Sequence, residues 1–210
     1  MTDQSEMYDC MFKKDNWFIG GWVYLVVMFI LEMVLPPWMG DENGPIENLQ
    51  VLCLIAGFYY CCQIDISRLS NWRGNAESLL KAGKIYFFLL IMREISWGRV
   101  LLTHPDGSHY EYSEMGFFGQ MVHPMVAVLI VILLLCLWRA KVWRFLLMVK
   151  IPVRSFLLLL IFIFMSWLGE KANFTGFHGA VAEELAEFGA YMMMLYLLRY
   201  ALKAAQKTDK

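Results

Sequence analysis

Long apolar blocks separated by charged segments constrain this chain more than any other feature of its sequence. A helix that crosses the hydrocarbon core of a bilayer needs about 20 mostly apolar residues. Six blocks of near that length occur along the 210 residues, at 17–38, 47–64, 84–102, 121–138, 151–169 and 180–202. They predict an all-α polytopic membrane helix bundle with six transmembrane helices.

The composition supports this prediction and argues against a soluble globular domain. Hydrophobic residues make up 59% of the chain, against roughly 45–50% in soluble domains. Charged residues make up 18%, against about 25%. The excess apolar residues lie in continuous blocks rather than at the alternating spacing of half-buried elements, so a large soluble core does not explain them.

The distribution of lysine and arginine predicts the orientation of the helices. Fifteen of the 18 basic residues fall before the first block, between blocks two and three, between blocks four and five, from Arg199 to the C-terminus, or at the adjoining block starts as Lys84 and Arg154. Cytoplasmic loops carry such an excess. We therefore predict cytoplasmic tails at 1–16 and 203–210 around a transmembrane domain at 17–202. The first block continues to near bilayer length without a cleavage site, so we expect it to remain as an anchor.

The predicted cytoplasmic basic residues do not indicate nucleic-acid binding, because membrane insertion and contact with anionic lipid account for them. The expected partner is the lipid bilayer. The five cysteines do not indicate a disulfide framework, because no Cys lies in a segment predicted to be outside the cell. These cysteines are Cys10, Cys53, Cys61, Cys62 and Cys136.

Polar residues of the apolar blocks concentrate in the predicted extracytoplasmic halves. An ionisable side chain inside a membrane costs several kcal/mol unless it is paired or hydrated, so each one indicates a candidate site. The candidate catalytic residues are Glu94, Arg93, Arg99, Glu183, Glu184, Glu187 and His178. The candidate substrate-binding residues are Glu32, Glu47, Asn48, Gln50 and Trp97. Together they predict one polar pocket that opens to the outside.

The start of the sixth block offers the chemistry of a metal site. Glu183 and Glu187 are four residues apart and share one helical face, while Glu184 lies about 100° round the helix. His178 precedes Glu183 by five residues. Glu183, Glu187 and His178 are therefore candidate ligands for a divalent metal, whose identity the sequence leaves open.

Structural roles also explain parts of this pattern. The helix macrodipole favours Glu near a helix start, where Glu47, Glu183 and Glu184 are predicted to lie. Arg93 and Glu94 fit an ion pair between helices as well as a catalytic pair. Gly98, four residues after Glu94, predicts a groove where a neighbouring backbone or a ligand approaches closely. The segment 103–120 resembles an ordinary polar outer loop.

One segment resembles a known group of proteins. Arg93-Glu-Ile-Ser-Trp-Gly-Arg99 is similar to a Glu-Glu-Ile-Ser-Trp-Gly-Gln-Arg run in uncharacterised bacterial multi-pass membrane proteins, and the helix start Glu47-Asn-Leu-Gln50 is also similar. The chain departs from that pattern by Arg93 in place of the first Glu and by lacking Gln before Arg99. The resemblance implies a bacterial inner membrane and implies no activity.

The acidic start of the sixth block also invites comparison with CAAX-type intramembrane proteases. Those enzymes use Glu-Glu-x-x-x-Arg within one helix. Here Glu183-Glu184 is followed by Leu-Ala-Glu and then by Phe188, which stands where the Arg is required. The sequence therefore does not predict this protease family.

Three classes of function fit these observations. The first is a membrane-embedded enzyme or binding protein that acts on a lipid headgroup, a lipid-linked substrate or another small ligand from the extracytoplasmic side. The second is a transporter or channel for protons or cations, against which the apolar cytoplasmic halves argue. The third is a subunit of a membrane complex. The reaction and the oligomeric state are left open.

Overall fold

The computed structural model describes residues 16–64, 73–102, 110–149, 151–171 and 179–207. Over these residues the fold is all-α, as the sequence predicts. Its helices are α1 (Asn16–Val34), α2 (Pro45–Gln63), α3 (Arg73–Glu94), α4 (Gly116–Arg139), α5 (Val142–Val149), α6 (Val153–Lys171) and α7 (Gly179–Lys207). Two short 3₁₀ helices, Pro37–Gly40 and Ser96–Leu101, follow α1 and α3.

Four segments are long and apolar enough to cross a membrane. They are Asn16–Val34, Pro37–Gln63, Gly116–Arg139 and Val153–Lys171. In the most apolar stretch of α4, 6% of the residues are buried. Large apolar side chains such as Phe117 and Trp138 are 78% and 80% exposed there. An apolar surface of this extent is typical of helices that lie in lipid.

The remaining predicted blocks coincide with α3 and α7, which carry more charge. The prediction of a single helix over 84–102 is wrong beyond Glu94, where α3 ends. Ser96, Trp97 and Gly98 follow with φ values of 44°, 54° and 86°. Three successive residues in the left-handed region cannot continue a right-handed helix. The short helix α5, within the predicted cytoplasmic loop 139–150, was not anticipated from the sequence.

The chain divides into two compact units. Unit 1 comprises Met1–Cys53 and Leu146–Thr208, and unit 2 comprises Leu54–Phe145. Unit 1 therefore contains α1, the start of α2, α6 and α7. Unit 2 contains the rest of α2, α3, the Ser96–Leu101 turn and α4.

The core of unit 1 forms where α1 and α6 pack against α7. Phe162 of α6 and Met28 of α1 are fully buried there. Gly189 of α7 makes room for the Phe162 ring, because a Cβ at that position would lie 2.8 Å from it. Tyr24 of α1 donates a hydrogen bond of 2.7 Å to the backbone oxygen of Leu185. Small residues that let helices approach closely are characteristic of helix packing in membranes.

The core of unit 2 forms around α3. Phe87 is 3% exposed, and it contacts Gly57 of α2, where a Cβ would lie within 2.7 Å of its ring. Trp97, just past the end of α3, is 7% exposed and packs edge-to-face on Phe88 with ring centroids 6.3 Å apart. The left-handed turn after α3 is therefore anchored by a buried aromatic side chain.

Candidate functional site

The first three turns of α7 bring two carboxylates together. Glu184 and Glu187 each place a carboxylate oxygen within 4.8 Å of one from the other, and we call these residues the carboxylate pair. Residues three apart on a helix are neighbours on its surface. The helix begins at Gly179, so Glu184 and Glu187 lie in its second and third turns.

Gln50 of α2 holds Glu184 from a neighbouring helix of unit 1. Its Nε2 donates to the backbone oxygen of Glu184 and to Oε2 of the same residue, each at 2.7 Å. Gln50 is 0% exposed. Its other amide atom, Oε1, is buried and accepts no hydrogen bond from any residue that the structure describes.

Two hydroxyl groups orient Glu187. Ser166 of α6 donates to Oε1 of Glu187 at 3.3 Å, and Tyr191, one turn further along α7, donates to Oε2 at 3.4 Å. Both donors are hydroxyl groups, and their hydrogen bonds fix the direction of the carboxylate. The carboxylate pair is thus positioned by side chains from α2, α6 and α7.

Glycines set how closely other segments of unit 1 approach the start of α7. A Cβ on Gly169 of α6 would lie 2.9 Å from the backbone nitrogen of Glu183. A Cβ on Gly40 would lie 2.6 Å from the backbone nitrogen of Val181. Glycine is required at both positions because a larger residue would collide with the α7 backbone. These two contacts fix the position of the first turns of α7.

Two of the substrate-binding candidates make local contacts at the start of α2. Glu47 accepts a hydrogen bond from the backbone N–H of Asn43. The side-chain amide of Asn48 donates to the backbone oxygens of Asn43 and Gly44 at 3.1 and 2.8 Å. The bond to Glu47 pairs a backbone N–H just before α2, and the bonds from Asn48 join the preceding turn to the first turn of the helix, so both residues have a structural role there. Glu32, a third candidate, is 3% exposed on α1.

The candidates in unit 2 form a separate arrangement around the end of α3. Nε of Arg93 lies 2.9 Å from Oε1 of Glu94, and the two side chains are 55% and 5% exposed. The structural role predicted from the sequence for Arg93 and Glu94 was an ion pair between helices. The observed ion pair instead joins these two consecutive residues. Trp97 lies in the unit 2 core and offers no open surface to a substrate.

Tyr112, which was not a candidate site residue, holds the turn after Glu94. The hydroxyl of Tyr112 donates to the backbone oxygen of Ser96 at 3.0 Å. The guanidinium of Arg99 lies 5.9 Å from the Tyr112 ring centroid, and the His123 ring packs edge-on at 5.8 Å. Gly98 does not provide the predicted groove for close approach, because a Cβ there would meet nothing within 4 Å among the described residues. Its role is conformational.

An apolar groove of about 330 Å³ runs between α1, α6 and α7 in unit 1. It is lined by Asn16, Trp17, Gly20, Gly21, Tyr24, Phe162, Phe188, Gly189, Met192 and Met193. This groove was not predicted from the sequence, although Gly21 and Gly189 allow α1, α6 and α7 to approach one another closely. Glu184, Phe188 and Met192 are four residues apart and therefore follow one side of α7.

The predicted site residues thus divide into groups. Gln50, Glu184 and Glu187 come together in unit 1, while Arg93, Glu94, Trp97 and Arg99 belong to unit 2. His178, a predicted metal ligand, lies outside the described residues. In the predicted metal set Glu187 was matched with Glu183, whereas the structure places it beside Glu184.

Comparisons of the chain with protein-family models, with curated proteins and with solved structures find no match. The resemblance of the Arg93–Arg99 segment to bacterial multi-pass membrane proteins therefore stays a prediction.

Proposed function

We propose that the protein is an integral membrane protein of a bacterial inner membrane, with six spans and both termini in the cytoplasm. The four apolar segments supply four spans, and α3 and α7 supply the third and the sixth. The 29 residues of α7 extend about 43 Å, more than the hydrocarbon thickness of about 30 Å. The alternation of basic segments along the sequence supports this orientation.

Labelling of single cysteines tests the topology. Asp41→Cys and Lys203→Cys replace exposed residues at opposite ends of the proposed spans, in a background without the native cysteines. A membrane-impermeant maleimide should label position 41 in intact spheroplasts and position 203 only in inverted vesicles. Labelling of both positions from the same side would contradict the six-span arrangement.

Within unit 1, the proposed function is that of a membrane-embedded enzyme or binding protein acting on a lipid or a lipid-linked substrate. This proposal rests on one observation. On one side of α7, Glu184 is followed by Phe188 and Met192, which line the apolar groove. A polar site and an apolar groove therefore follow one another along a single helix. Such an arrangement suits a ligand with a polar headgroup and an apolar chain.

Each part of the proposed site matches one part of such a ligand. The groove volume of about 330 Å³ lies at the lower end of the roughly 300–1,000 Å³ found for small-molecule sites. Its lining is mostly aromatic, glycine and methionine residues, which suits an acyl or polyprenyl chain. The carboxylates of Glu184 and Glu187 can accept hydrogen bonds from headgroup hydroxyl or ammonium groups. In the proposed topology both carboxylates lie in the extracytoplasmic half.

Two adjacent carboxylates also suit acid–base chemistry. In general acid–base catalysis one carboxyl group donates a proton to the substrate and a second carboxylate accepts one. This is the chemistry that an enzyme acting on a headgroup would use here.

Filling the groove tests the proposed lipid site. A Cβ on Gly20 meets nothing within 4 Å, so Gly20→Phe should place its ring in the groove without displacing the backbone. Val23→Phe is the matched control, because Val23 is 57% exposed and does not line the groove. Both variants are released from nanodiscs of phosphatidylethanolamine and phosphatidylglycerol and examined by native mass spectrometry. Gly20→Phe should lose a lipid that wild type and Val23→Phe retain. Equal retention in all three would refute the site.

Turnover separates an enzyme from a binding protein. Nanodisc lipids incubated with wild type, Glu184→Gln, Glu187→Gln and the control Glu170→Gln are followed by liquid chromatography and mass spectrometry. Glu170 is an exposed residue of α6 paired with Lys171. Product made by wild type and Glu170→Gln but not by the other two variants would establish an enzyme. Lipid retention without product would leave a binding protein.

Proton-linked or cation-linked transport is the second candidate. The hydrogen bond from Tyr191 to Glu187 favours it, because this bond extends the polar contacts of the site one turn further along α7. Proteoliposomes loaded with a pH-sensitive dye provide the test. Flux that is lost in Glu187→Gln and kept in Glu170→Gln would place transport ahead of lipid chemistry.

A further inference from the structure

The end of α4 and the start of α5 form a compact turn at Trp138–Arg144, which we call the basic corner. The backbone N–H of Lys141 donates to the oxygen of Trp138, and that of Arg144 donates to the oxygen of Lys141, each at 2.8 Å. Lys141 has a φ of 48°, which turns the chain between the two helices. Ala140 is fully buried, so packing holds the turn in place. All of these residues belong to unit 2.

The exposed side chains of the basic corner repeat one pair of residue types. Trp138 precedes Arg139, and Trp143 precedes Arg144. Lys141 lies between the two pairs. The tryptophans are 80% and 70% exposed, and the three basic side chains are also exposed. Tryptophan is enriched where lipid chains meet headgroups, because its ring is apolar and its N–H is polar. Two exposed tryptophans at the end of an apolar helix therefore indicate a membrane interface.

Charge is separated along unit 2. The hydrogen bond and charge of Glu77 raise the pKa of Lys81, and the positive charge of Arg139 lowers it, so Lys81 of α3 lies at the same end as the basic corner. Glu77 is the described acid at this end, and it is paired with Lys81. The 24 residues of α4 extend about 36 Å, enough to cross a hydrocarbon core of about 30 Å. The other described acids of unit 2 lie at the end of α3 or before α4, and they are Glu94, Glu111 and Glu114.

We infer that the basic corner binds the headgroup of an anionic phospholipid, with Arg139 and Arg144 holding its phosphate. A guanidinium can donate two parallel hydrogen bonds to a phosphate, and the ammonium of Lys141 adds a point charge. The two tryptophans contact the glycerol and the upper part of the acyl chains. A zwitterionic lipid has the same phosphate, but it also carries a positively charged amine that the basic corner repels.

Membrane insertion alone does not account for this arrangement. The orientation of a span depends on the number of basic residues near its ends, whereas the neighbours of those residues do not enter the rule. An exposed tryptophan before each arginine is therefore an additional feature. In the proposed topology the basic corner lies at the cytoplasmic surface, where anionic lipids create a negative potential. This lipid site is independent of the groove and the carboxylate pair of unit 1.

Lipid titration of the full-length, delipidated protein in detergent tests the basic corner. Native mass spectrometry gives the affinities for phosphatidylglycerol and for phosphatidylethanolamine of the same chain length. Wild type should bind phosphatidylglycerol more tightly. Arg139→Gln/Arg144→Gln should weaken that binding by about 25-fold, because each basic residue near an anionic surface contributes about fivefold. Binding of phosphatidylethanolamine should change little. Equal affinity of wild type for the two lipids, or unchanged phosphatidylglycerol binding in the double variant, overturns the site.

The matched control removes two exposed basic residues from the end of α7 in unit 1. Arg199→Gln/Lys203→Gln has the same change in net charge and should bind phosphatidylglycerol as wild type does. Equal weakening in both double variants would mean that the lipid responds only to total charge, and it would overturn the site. All four positions are exposed, so both double variants should fold.

Two further measurements test the assignment of the arginines and of the lipid. Arg139→Lys/Arg144→Lys keeps both charges but loses the paired hydrogen bonds, so its affinity should lie between those of wild type and the glutamine variant. Wild-type affinity would reduce the site to general charge attraction and overturn it. Soluble glycerol phosphate or a polyglutamate peptide should not displace phosphatidylglycerol, because neither has acyl chains to contact the tryptophans. Displacement would assign the basic corner to a free phosphate or to an acidic protein segment, and would overturn the lipid assignment.

Discussion

Unit 1 and unit 2 each contain a glycine that the structure requires, but for different physical reasons. Gly40 in unit 1 is buried, and its missing Cβ leaves room for the backbone of Val181. Gly98 in unit 2 has open space around it but adopts φ of 86°. Unit 1 uses glycine for close packing of segments, and unit 2 uses it to turn the chain.

The carboxylates of the two units differ in a similar way. Glu94 of unit 2 lies beside the guanidinium of the preceding residue, Arg93. Glu184 and Glu187 of unit 1 receive hydrogen bonds from an amide and from hydroxyl groups. The ion pair of unit 2 joins two consecutive residues, whereas the donors to the unit 1 carboxylates come from α2, α6 and α7 and hold them in a fixed arrangement. This difference is why the proposed site lies in unit 1.

The largest expected effect comes from loosening the packing of unit 1. Phe162 is fully buried and contacts Gly189 and Tyr24. Phe162→Ala should lower the free energy of unfolding by about 3–5 kcal/mol, because it removes the packing contacts of the ring and leaves a cavity in the core. Equilibrium unfolding in mixed detergent and dodecyl sulfate micelles measures this. Phe117→Ala is the control, since Phe117 is 78% exposed and its removal should change little. Similar costs for both would show that packing does not hold unit 1 together.

Substituting the two glycines should separate space from conformation. Gly40→Ala should cost about 1–3 kcal/mol through overpacking, since its Cβ would meet backbone atoms that cannot rotate away. Gly98→Ala should cost about 1–2 kcal/mol through the left-handed backbone alone.

The asparagine variants distinguish these causes in the same unfolding assay. Asparagine tolerates the left-handed region better than alanine does, so Gly98→Asn should be more stable than Gly98→Ala. Gly40→Asn should be less stable than Gly40→Ala, because the larger side chain worsens the clash. The opposite order at either position would remove the distinction between the two units.

A smaller effect is expected where Tyr112 closes the turn of unit 2. Tyr112→Phe removes the hydrogen bond to the backbone oxygen of Ser96 and should cost about 0.5–1.5 kcal/mol. The ring contacts to Arg99 and His123 would remain. Tyr59→Phe serves as the control, because Tyr59 is 62% exposed on α2. An unchanged midpoint for Tyr112→Phe would mean that the hydrogen bond does not stabilise the turn.

The smallest effect concerns the exposed first turns of α3. Glu77 and Lys81 are four residues apart, with Nζ of Lys81 2.6 Å from Oε1 of Glu77. The hydrogen bond and the charge of Lys81 hold the pKa of Glu77 below its usual 4.5, and Glu77 raises the pKa of Lys81 above 10.5. The stabilisation should therefore persist at neutral pH. It should be lost as pH falls through the lowered pKa of Glu77, and as pH rises through the raised pKa of Lys81.

Thermal unfolding of wild type and Glu77→Gln at neutral and acidic pH checks this prediction. The difference in melting temperature should be small at neutral pH, should vanish in acid, and should shrink in high salt, because exposed ion pairs are screened. A difference that is independent of both pH and salt would point to helix propensity instead of the ion pair.

Hydropathy predicted the helices well, because segments that cross lipid must satisfy every backbone hydrogen bond internally. Each of the six predicted blocks coincides with a helix over most of its length. The prediction of a continuous helix over 84–102 fails at Ser96–Gly98 for a local reason. Block three remains apolar past Glu94, but the chain turns there because Trp97 is buried and Tyr112 binds the Ser96 backbone. Hydropathy does not report either contact.

The candidate site was predicted in part. The spacing of the α7 glutamates correctly placed them on neighbouring positions of one helix, since three- and four-residue intervals determine that geometry. Which pair comes together was decided by contacts from other helices. Gln50 reaches Glu184 across 134 positions of sequence, and Ser166 reaches Glu187 from α6. Asn48, two residues before Gln50, instead donates to the backbone oxygens of Asn43 and Gly44 at the start of α2.

The all-α fold, the apolar segments long enough for a bilayer and the acidic start of α7 could be predicted from the amino-acid sequence. These features depend on hydropathy and on helical spacing, which are local along the chain. The burial of Gln50 against Glu184, the turn at Gly98 and the groove beside Phe188 could be seen only in the folded chain. Those outcomes depend on how closely separate helices approach, and close approach is set by side-chain volumes on several helices together.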